Sequence, residues 1–306
     1  MLNTNEARIE TSTLCNYSCV FCPHKTTFNR SKEIMSYERL TFLVDKINKE
    51  LPDITDITLG GMGDVFTDPN IIDKLKYCKD YGYTVHVLTN GSLLNTDLID
   101  QMVDIGINDL RISLHSLKYE SYNKITGASE IQFKNVLDIL EYINENTKIP
   151  LIVSFAIVDG INNPDIESVK KYFKKYDDIT IEIWKAHNWA NGFEYRSGQA
   201  IYKTCGRPLN GPYQIQIDGS VVMCCFDYNN QLKLGNFLTQ TMKEIFSGYL
   251  YTQLKRYHEN GTLYKTSYIC KDCDQRKSKE GIVIFNNKFK SEDRLKRTST
   301  NYAKFT

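Results

Sequence analysis

The sequence predicts an α/β fold, a partial (β/α)6 barrel followed by a small α+β domain. A length of 306 residues exceeds that of a typical single domain and leaves room for a second, smaller unit. As far as about residue 185, short β-branched runs alternate with longer amphipathic segments, as expected of repeated βα units. After Trp189 this alternation stops, which places the second unit in the C-terminal third of the chain.

Six strands and five helices are predicted within the first unit. Several strand segments are nearly continuous apolar runs, as buried parallel strands should be, and right-handed crossovers would lay the helices on one side of the sheet. The helical segments carry apolar residues at spacings of three and four. The predicted strands cover residues 8–14, 56–60, 84–88, 109–114, 151–157 and 180–184. The predicted helices cover residues 37–50, 71–81, 98–105, 132–145 and 166–175.

The second unit begins with a predicted hairpin. Residues 213–217 and 221–225 read as two strands joined by the turn Asp218-Gly219, and an amphipathic helix is predicted around residues 242–257. Beyond Cys273, nine Lys or Arg stand against four acids, and we expect most of this tail to be solvated or disordered. The predicted domains are residues 1–195, residues 196–280 and a basic C-terminal tail at residues 281–306.

Composition and charge argue against several classes of protein. Lys plus Arg total 38 against 37 Asp plus Glu, so the whole chain gives no electrostatic argument for nucleic acid or membrane as a partner. No apolar run approaches membrane-spanning length, and the first ten residues lack a basic segment followed by an apolar one. We therefore expect a cytoplasmic protein. Its nine cysteines favour metal ligation or catalysis over disulfides, because cytosolic thiols are kept reduced.

Cys15, Cys19 and Cys22 follow the first predicted strand in a single loop. Three thiolates leave one iron of a [4Fe–4S] cluster without a protein ligand, and a cofactor or substrate can coordinate an open iron. Zinc is the alternative at this point, because structural zinc sites have four ligands and His24 could supply the fourth. The position of the loop, at the carboxyl end of the first strand of a βα array, favours an active site.

Four further cysteines are enough to ligate a second, closed site, and their last two form a Cys-x-x-Cys pair. They are Cys205, Cys224, Cys270 and Cys273. From the residues alone, zinc and an iron–sulfur cluster both remain open. Of the two cysteines left over, Cys78 lies on a helical pattern and is expected in the core. Cys225 should point away from its neighbour across the strand.

The first cysteine motif resembles that of the radical S-adenosylmethionine (SAM) superfamily, in which an aromatic residue precedes the last cysteine, as Phe21 does here. The resemblance implies a [4Fe–4S] cluster that binds SAM and cleaves it to a 5′-deoxyadenosyl radical, which abstracts a substrate hydrogen. It also implies contacts to SAM after the next three strands. The implied residues are Gly61, Gly63 and Asp64 of Gly60-Gly61-Met62-Gly63-Asp64, Asn90 of Thr89-Asn90-Gly91, and Ser113. Asp64 stands where the family usually carries Glu.

Residues 122–127 resemble a segment in which members of the superfamily often place an arginine on the SAM carboxylate. Lys124 or Thr126 stands there in this chain, and the resemblance implies a SAM contact from one of them. The alternative is a helix cap with a solvated lysine.

The second cysteine set, together with the hairpin and Leu234-Gly235-Asn236, resembles the twitch domain, a shortened SPASM domain that holds one auxiliary [4Fe–4S] cluster. The resemblance therefore implies two [4Fe–4S] clusters in this chain. Within the superfamily, the cysteine pattern is most similar to that of the 2-deoxy-scyllo-inosamine dehydrogenases. That likeness implies oxidation of a hydroxylated small molecule, sugar- or cyclitol-like, with the auxiliary cluster as electron acceptor and an electron donor such as flavodoxin or ferredoxin.

Two histidines are candidates for the base that takes the hydroxyl proton. His115 and His187 both lie near strand ends, and a near-neutral imidazole suits general base catalysis. In the dehydrogenases an arginine follows the sixth strand, where this chain has His187-Asn188-Trp189. The alternatives are a structural role for each histidine and a core position for Trp189.

Two other functions stay open. The first is a peptide-modifying radical SAM enzyme, a maturase or epimerase, although only fourteen residues precede Cys15 and we expect no leader-recognition domain in cis. The second is a zinc-stabilised binding protein whose basic tail contacts nucleic acid. A zinc module requires neither six βα units nor a glycine motif after the second strand, so we do not expect nucleic acid as a partner.

Overall fold

The computed structural model of the chain describes residues 1–190, 193–195, 198–200 and 202–277, and the backbone of Ile282–Asn286. The strands are β1 (Glu6–Glu10), β2 (Asp56–Gly60), β3 (Thr84–Thr89), β4 (Asp109–Ser113), β5 (Leu151–Ile157), β6 (Ile179–Lys185), β7 (Tyr213–Ile215), β8 (Ser220–Val222), β9 (Lys233–Asn236) and β10 (Ile282–Asn286). The helices are α1 (Tyr37–Glu50), α2 (Ile71–Asp80), α3 (Thr96–Asp104), α4 (Tyr119–Thr126), α5 (Glu130–Asn146), α6 (Ile166–Phe173), α7 (Arg207–Asn210), α8 (Met242–Ser247) and α9 (Tyr249–Asn260).

The strands of both predicted domains share one open sheet. β1 to β6 lie side by side in chain order and are all parallel, which confirms the predicted partial barrel. β7 continues the sheet on the free side of β1 and is parallel to it, and β8 and β9 add antiparallel strands. The C-terminal domain is therefore fixed to the barrel by main-chain hydrogen bonds as well as by side chains.

The helices pack as a layer against the sheet. α1 contacts α2, α2 contacts α3, and α3 contacts α5, as short right-handed crossovers between neighbouring strands require. The hydroxyl of Ser36 caps α1, and a capping box between Ser129 and Gln132 begins α5. Apolar side chains of both layers form one large core, and burying each large one contributes about 1.5–3 kcal/mol. No helix in the described part of the chain is long and apolar enough to cross a membrane.

β1 ends at Glu10, four residues before the predicted end of the first strand. Beyond it, the carbonyl of Thr11 accepts the N–H of Met35 at 2.8 Å, and the N–H of Thr13 donates to the carbonyl of Glu33 at 3.0 Å. These bonds draw residues 11–13 out of the sheet, although the segment stays extended. It carries the chain directly into the first cysteine loop.

The C-terminal domain differs from its prediction in its hairpin, whose strands end earlier, at Ile215 and Val222, and in its helix and tail. The helix expected around residues 242–257 is two helices, α8 and α9, because Gly248 between them is extended at φ −63° and ψ 155°. Residues 282–286, in the tail that we expected to be mostly solvated or disordered, form β10, which pairs antiparallel with β6. The Ile-Val-Ile-Phe run has the β-branched and aromatic composition of a strand. Residues 287–306 of the tail lie outside the described residues.

Candidate active site

A cavity of about 450 Å³ lies at the carboxyl ends of the barrel strands. Its lining includes the first cysteine loop, the glycine loop after β2, and the ends of β3, β4 and β6. The wall opposite comes from the C-terminal domain, through Gln216, Cys225 and Phe226. One cavity therefore reaches from the first cysteine motif to the edge of the second.

Backbone hydrogen bonds hold the first cysteine loop, residues 15–22, on the end of α4. The N–H of Ser18 donates to the carbonyl of Thr126 at 2.9 Å, and the N–H of Val20 donates to the carbonyl of Ile125 at 2.8 Å. The segment that we expected to contact SAM through its side chains thus supports the cysteine loop through its main chain.

Lys124 and Thr126 are not among the residues that line the cavity. Lys124 is exposed, whereas the buried Thr126 hydroxyl donates to the carbonyl of Tyr122 at 2.7 Å and accepts the N–H of Ala128 at 3.1 Å. Gly127 follows as the C-cap of α4, with φ 72°. The predicted SAM contact therefore does not fit either side chain, and the helix-cap alternative does.

The three thiols of the first loop form a donor set suited to an iron–sulfur cluster. Burial raises the pKa of Cys15 and Cys19, and raises that of Cys22 to about 12. The neighbouring thiols raise the pKa of Cys19 further. Thiolates are the ligating form, and a bound cationic centre offsets the cost of forming them in this buried place. His24, the alternative fourth ligand for zinc, is bonded through Nε2 to the carbonyl of Thr13 at 2.8 Å.

The glycine loop after β2 packs tightly against the start of the cysteine loop. A side chain at Gly61 would collide with Glu10, and one at Gly63 would collide with the backbone of Leu14. The N–H of Gly63 donates to the carbonyl of Ser12 at 3.1 Å. Both glycines line the cavity, so they bring backbone rather than side chains to its wall.

Asp64 and Asn90 line the same wall, but their polar atoms already have partners within the protein. The buried Asp64 carboxylate accepts the backbone N–H of Asn90 at 2.6 Å and the hydroxyl of Thr89 at 2.9 Å. Burial raises the pKa of Asp64 even though these bonds oppose the change. The side-chain amide of Asn90 donates to the side chain of Asn16 in the cysteine loop at 2.8 Å. Both residues therefore tie the ends of β2 and β3 together and to the cysteine loop.

Phe21 and Ser113, the remaining predicted contacts to SAM, also line the cavity. The Phe21 ring packs edge-on against His115, with centroids 5.0 Å apart, and against Trp184, with centroids 5.6 Å apart. The aromatic residue of the cysteine motif thus faces the end of β6.

The two candidate histidines occupy different environments. Nδ1 of His115 accepts the N–H of Ala156 at 3.2 Å, so the neutral ring carries its proton on Nε2, and burial lowers the pKa of His115 to about 4. The base role predicted for His115 therefore does not fit, because its acceptor nitrogen is occupied. His187 lines the cavity, stacked on Trp184 at 5.7 Å and beside Phe226 at 4.0 Å, and its base role stays a prediction.

Four thiols of the C-terminal domain converge from separate segments. Burial raises the pKa of Cys270 and Cys273, and Cys205 lies close enough to both to raise it further. Cys224 interacts with Cys270 in the same way, while the guanidinium of Arg207 acts on Cys224 and Cys273 in the opposite sense. Four neighbouring thiols, of which Cys273 is buried and the others are partly buried, suit a closed, four-thiolate cluster.

Cys225 does not point away from Cys224 as expected. Both residues lie in a turn after β8, and a hydrogen bond between their thiols raises the pKa of Cys224 and lowers that of Cys225. Cys225 lines the cavity. The side-chain alternation of a strand could not predict this, because β8 ends at Val222.

A strap of two residues after β6, Asn188 and Trp189, joins the two cysteine sites. The indole N–H of Trp189 donates to the carbonyl of Phe21, beside Cys22, at 2.6 Å. The backbone N–H of Asn188 donates to the carboxylate of Asp274, beside the second cysteine pair, at 2.6 Å. Trp189 has φ 49°, a left-handed conformation that costs energy for a bulky side chain. Trp189 therefore does more than fill the core.

Three polar residues at the floor of the cavity were not among the predicted site residues. Nη2 of Arg111 lies 3.3 Å from Oε1 of Glu182, and the hydroxyl of Ser154 donates to Oε2 of Glu182 at 3.3 Å. All three line the cavity. For Glu182 the sequence does carry an indication, because an acidic residue stands within the largely apolar run of β6 and such residues are seldom fully buried unless they are paired.

The fold and the two thiol sites define an iron–sulfur protein with an active-site cavity at the mouth of a partial barrel. The model of the radical SAM superfamily matches residues 9–173, which is more than half of the chain, and an iron–sulfur cluster-binding domain, SPASM, matches residues 205–274. The chain belongs to the radical SAM superfamily. Its cofactors are therefore SAM and [4Fe–4S] clusters, which the two thiol sets fit, and the alternative of a zinc-stabilised binding protein is wrong.

Several solved structures share the fold. BtrN in complex with AdoMet (SAM) and 2-DOIA has a TM-score of 0.61 and 15% identity, over 90% of this chain and 94% of that one. Native anSMEcpe with bound AdoMet has a TM-score of 0.63 and 16% identity, over 90% and 91%. Streptococcus suis SuiB bound to the precursor peptide SuiA has a TM-score of 0.56 and 15% identity, over 90% and 70%. At these identities the likeness shows the fold alone.

Curated relatives match over shorter stretches. A probable GTP 3′,8-cyclase of Sulfurisphaera tokodaii is 30% identical over 62% of this chain and 59% of the relative. A probable GTP 3′,8-cyclase of Thermococcus kodakarensis is 29% identical over 56% and 54%. An uncharacterized protein of Methanocaldococcus jannaschii is 26% identical over 66% and 62%. The chain thus aligns with only about half to three-fifths of the length of these relatives.

Proposed function

We propose that this radical SAM enzyme is an oxidoreductase that oxidises a hydroxylated small molecule, sugar- or cyclitol-like, to a ketone. The observation that carries the proposal is the single cavity between the two thiol sites. Cys15, Cys19 and Cys22 line one end, and Cys225, beside the second site, lines the other. A substrate held between them is within reach of both the initiating chemistry and an electron acceptor.

The size of the cavity supports a small substrate. Sites for single drug-sized ligands span roughly 300–1,000 Å³. At about 450 Å³ the cavity is in the lower part of that range, and SAM must share it. A cavity in this part of the range favours a compact substrate over a peptide segment.

When bound, the first cluster and SAM supply a radical that removes a hydrogen atom from carbon, and the second cluster takes up the electron left as the ketone forms. The residues of the chain would hold the reactants and exclude water. The glycine loop would present backbone to SAM, and His187, at the wall next to Phe226, is the proposed acceptor of the hydroxyl proton. A cytoplasmic donor such as flavodoxin or ferredoxin would supply the initiating electron.

Peptide modification is the second candidate. The observation that favours it is the fold likeness to SuiB bound to its precursor peptide, over 90% of this chain. A peptide would have to enter a cavity closed on one side by the strap and by Phe226, so the geometry favours it less.

The test supplies anaerobically reconstituted protein with SAM, reductant and one carbon-deuterated substrate at a time. The substrates are 2-deoxy-scyllo-inosamine, scyllo-inositol, a short peptide and GTP. We expect deuterium in 5′-deoxyadenosine, together with a ketone product, only with the cyclitols. Transfer from the peptide or from GTP, and none from the cyclitols, would replace the proposal with that activity.

A further inference from the structure

In the described part of the chain, the hydrogen bonds of the charged pair at the cavity floor join Arg111, Glu182 and Ser154 and reach neither cysteine site. Arg111 lies on β4 and Glu182 on β6, and their side chains are 19% and 10% exposed. A buried ion pair of this kind is weak evidence for stability, because desolvation opposes the attraction between the charges. The pair therefore calls for a role at the cavity that it lines.

Strand register places this pair on the wall that faces the substrate space. Ser154 pairs with Glu182 across β5 and β6, and Ser113 pairs with Ser154 across β4 and β5. Arg111 is two residues before Ser113, so both face the same side of the sheet. Trp184 is two residues after Glu182 and likewise lines the cavity. Polar groups and one indole thus share a single inner face.

Two buried polar atoms on this cavity lack a hydrogen-bond partner among the described residues. One is Nε of Arg111, a donor, and the other is Oε1 of Gln216, an acceptor. Gln216 is only 6% exposed, and its amide nitrogen is bonded to the carbonyl of Asp227 at 3.2 Å. An unsatisfied buried donor or acceptor costs stability unless a ligand or an ordered water completes it. The barrel wall thus offers a donor and the C-terminal domain an acceptor to the same space.

We propose that Arg111 and Glu182 bind a vicinal diol of the substrate through hydrogen bonds, and that Gln216 accepts a hydrogen bond from a further hydroxyl. A guanidinium beside a carboxylate offers a donor and an acceptor side by side, and two adjacent hydroxyl groups complement both. The inference rests on the proposed function, because it names the feature of the substrate that the same cavity selects.

The charges and the aromatic residue narrow the substrate class. Glu182 offsets the charge of Arg111 at 3.3 Å, so the pair favours a hydroxyl group over a phosphate or carboxylate at this point. Two further cations, Arg8 and Arg207, also line the cavity. Trp184, on which His187 stacks at 5.7 Å, adds apolar surface to the same part of the cavity for the C–H groups of a ring. The pair thus suits the hydroxyl groups of a polyhydroxylated ring.

The test measures binding of two probes to the protein loaded with both clusters and SAM. Isothermal titration compares scyllo-inositol, which has vicinal hydroxyls throughout, with cyclohexanol, which has one hydroxyl. We expect scyllo-inositol to bind the unaltered protein, and Glu182→Gln to weaken that binding about ten- to a hundredfold, since a hydrogen bond to a charged group is lost. Gln216→Met should weaken it roughly two- to tenfold.

Glu50→Gln is the matched control. Glu50 pairs with Lys46 at 2.8 Å on α1, and neither residue lines the cavity, so its loss should leave scyllo-inositol binding unchanged. Iron content and the melting temperature identify a variant that has failed to fold, in which case Gln216→Met decides. Three results would each overturn the inference. They are equal binding of the two probes, unchanged binding in folded Glu182→Gln and Gln216→Met, and no binding of scyllo-inositol at about 10 mM, which is roughly tenfold above a millimolar Kd.

The same protein separates this inference from the proposed function. If reductant and SAM give no 5′-deoxyadenosine, the radical chemistry itself has failed. If 5′-deoxyadenosine forms and carries deuterium from a cyclitol while Glu182→Gln binds scyllo-inositol normally, the proposed function stands. Only the assignment of Arg111 and Glu182 as the diol-binding residues is then wrong.

Discussion

The two cysteine sites are built in opposite ways. The first takes its three thiols from one eight-residue loop, Cys15 to Cys22, held by main-chain bonds to the end of α4. The second gathers four thiols from separate segments between Cys205 and Cys273, so it exists only once the C-terminal domain has folded. The exposure of the two sets of thiols is similar, so what separates the sites is their position relative to the cavity.

The two sites meet the cavity differently, and this difference divides their tasks. The first site lines the cavity with all three of its thiols, as a centre that meets SAM must. None of the four second-site cysteines lines the cavity, whereas Cys225 and Phe226, which follow Cys224 in the chain, do. The first site therefore suits ligand chemistry, and the second suits transfer of electrons through the protein.

Removal of the first site should have the largest effect. Replacing Cys15, Cys19 and Cys22 together with alanine leaves no thiolate to hold the cluster that binds SAM, so SAM cleavage should fall to background. The checks are 5′-deoxyadenosine by chromatography and an iron content that drops from about eight to about four per chain. Persistent cleavage in this variant would refute the assignment of the first site.

Removal of the second site should uncouple SAM cleavage from formation of the ketone. In Cys270→Ala/Cys273→Ala, SAM cleavage should persist while the ketone is lost, because the electron acceptor is missing. The melting temperature should also fall, since a structural cluster contributes to folding of its domain. Cys78→Ala, at a buried cysteine outside both sites, controls for loss of a thiol. Undiminished ketone formation in the double variant would remove the second cluster from the reaction.

Loss of the strap bond should have an intermediate effect. Trp189→Phe keeps an aromatic ring but removes the N–H that bonds the carbonyl of Phe21 at 2.6 Å. A lost hydrogen bond of about 1 kcal/mol should cut the ratio of ketone to 5′-deoxyadenosine severalfold, with iron content unchanged. Tyr264→Phe, at an exposed ring, is the control. A ratio equal to that of the unaltered protein would mean that the strap does not couple the sites.

The smallest effect on the reaction should come from a change at His86, which is remote from both cysteine sites. Burial alone would lower its pKa, but hydrogen bonds to Asp109 at 2.5 Å and Asp56 at 3.0 Å raise it to about 9. Because the pKa of His86 is raised in the folded state, protonation of His86 adds at most about 3 kcal/mol to the free energy of unfolding. This contribution is complete at pH values below the ordinary pKa near 6.5 and is lost as the pH rises through 9. Denaturant unfolding between pH 6 and 10 should show the loss, and His86→Gln should abolish it without changing either cluster. If the free energy of unfolding still falls between pH 6 and 10 in His86→Gln, the pH dependence belongs to another group.

The sequence could predict what depends on local pattern. The order of the six parallel strands, the turn at Asp218-Gly219 and both thiol sets follow from periodicity, turn chemistry and spacing. The break at Gly248 was missed because an extended glycine does not interrupt the apolar spacing around it. β10 was missed because its short run stands inside a basic segment, and only pairing with β6 makes it a strand.

The candidate site was less predictable because its side chains meet across the sheet. Arg111 and Glu182 are 71 positions apart and come together through the register of β4, β5 and β6. Whether a histidine can act as a base depends on which nitrogen is bonded, as the contact of His115 with Ala156 shows. The position of their motif in the sequence placed Lys124 and Thr126 near the cysteine loop. The end of α4, however, turns main-chain groups rather than these side chains toward that loop.

The most direct test of the division between the two sites is a single turnover followed by electron paramagnetic resonance. Protein carrying about one reducing electron per chain, with no excess reductant, is mixed with SAM and a cyclitol substrate and then frozen. SAM cleavage consumes the electron, and oxidation of the substrate should return one to the second cluster. We predict that ketone appears together with the signal of a reduced [4Fe–4S] cluster, and that Cys270→Ala/Cys273→Ala gives neither. Ketone formed in protein whose second cluster stays oxidised would contradict the account.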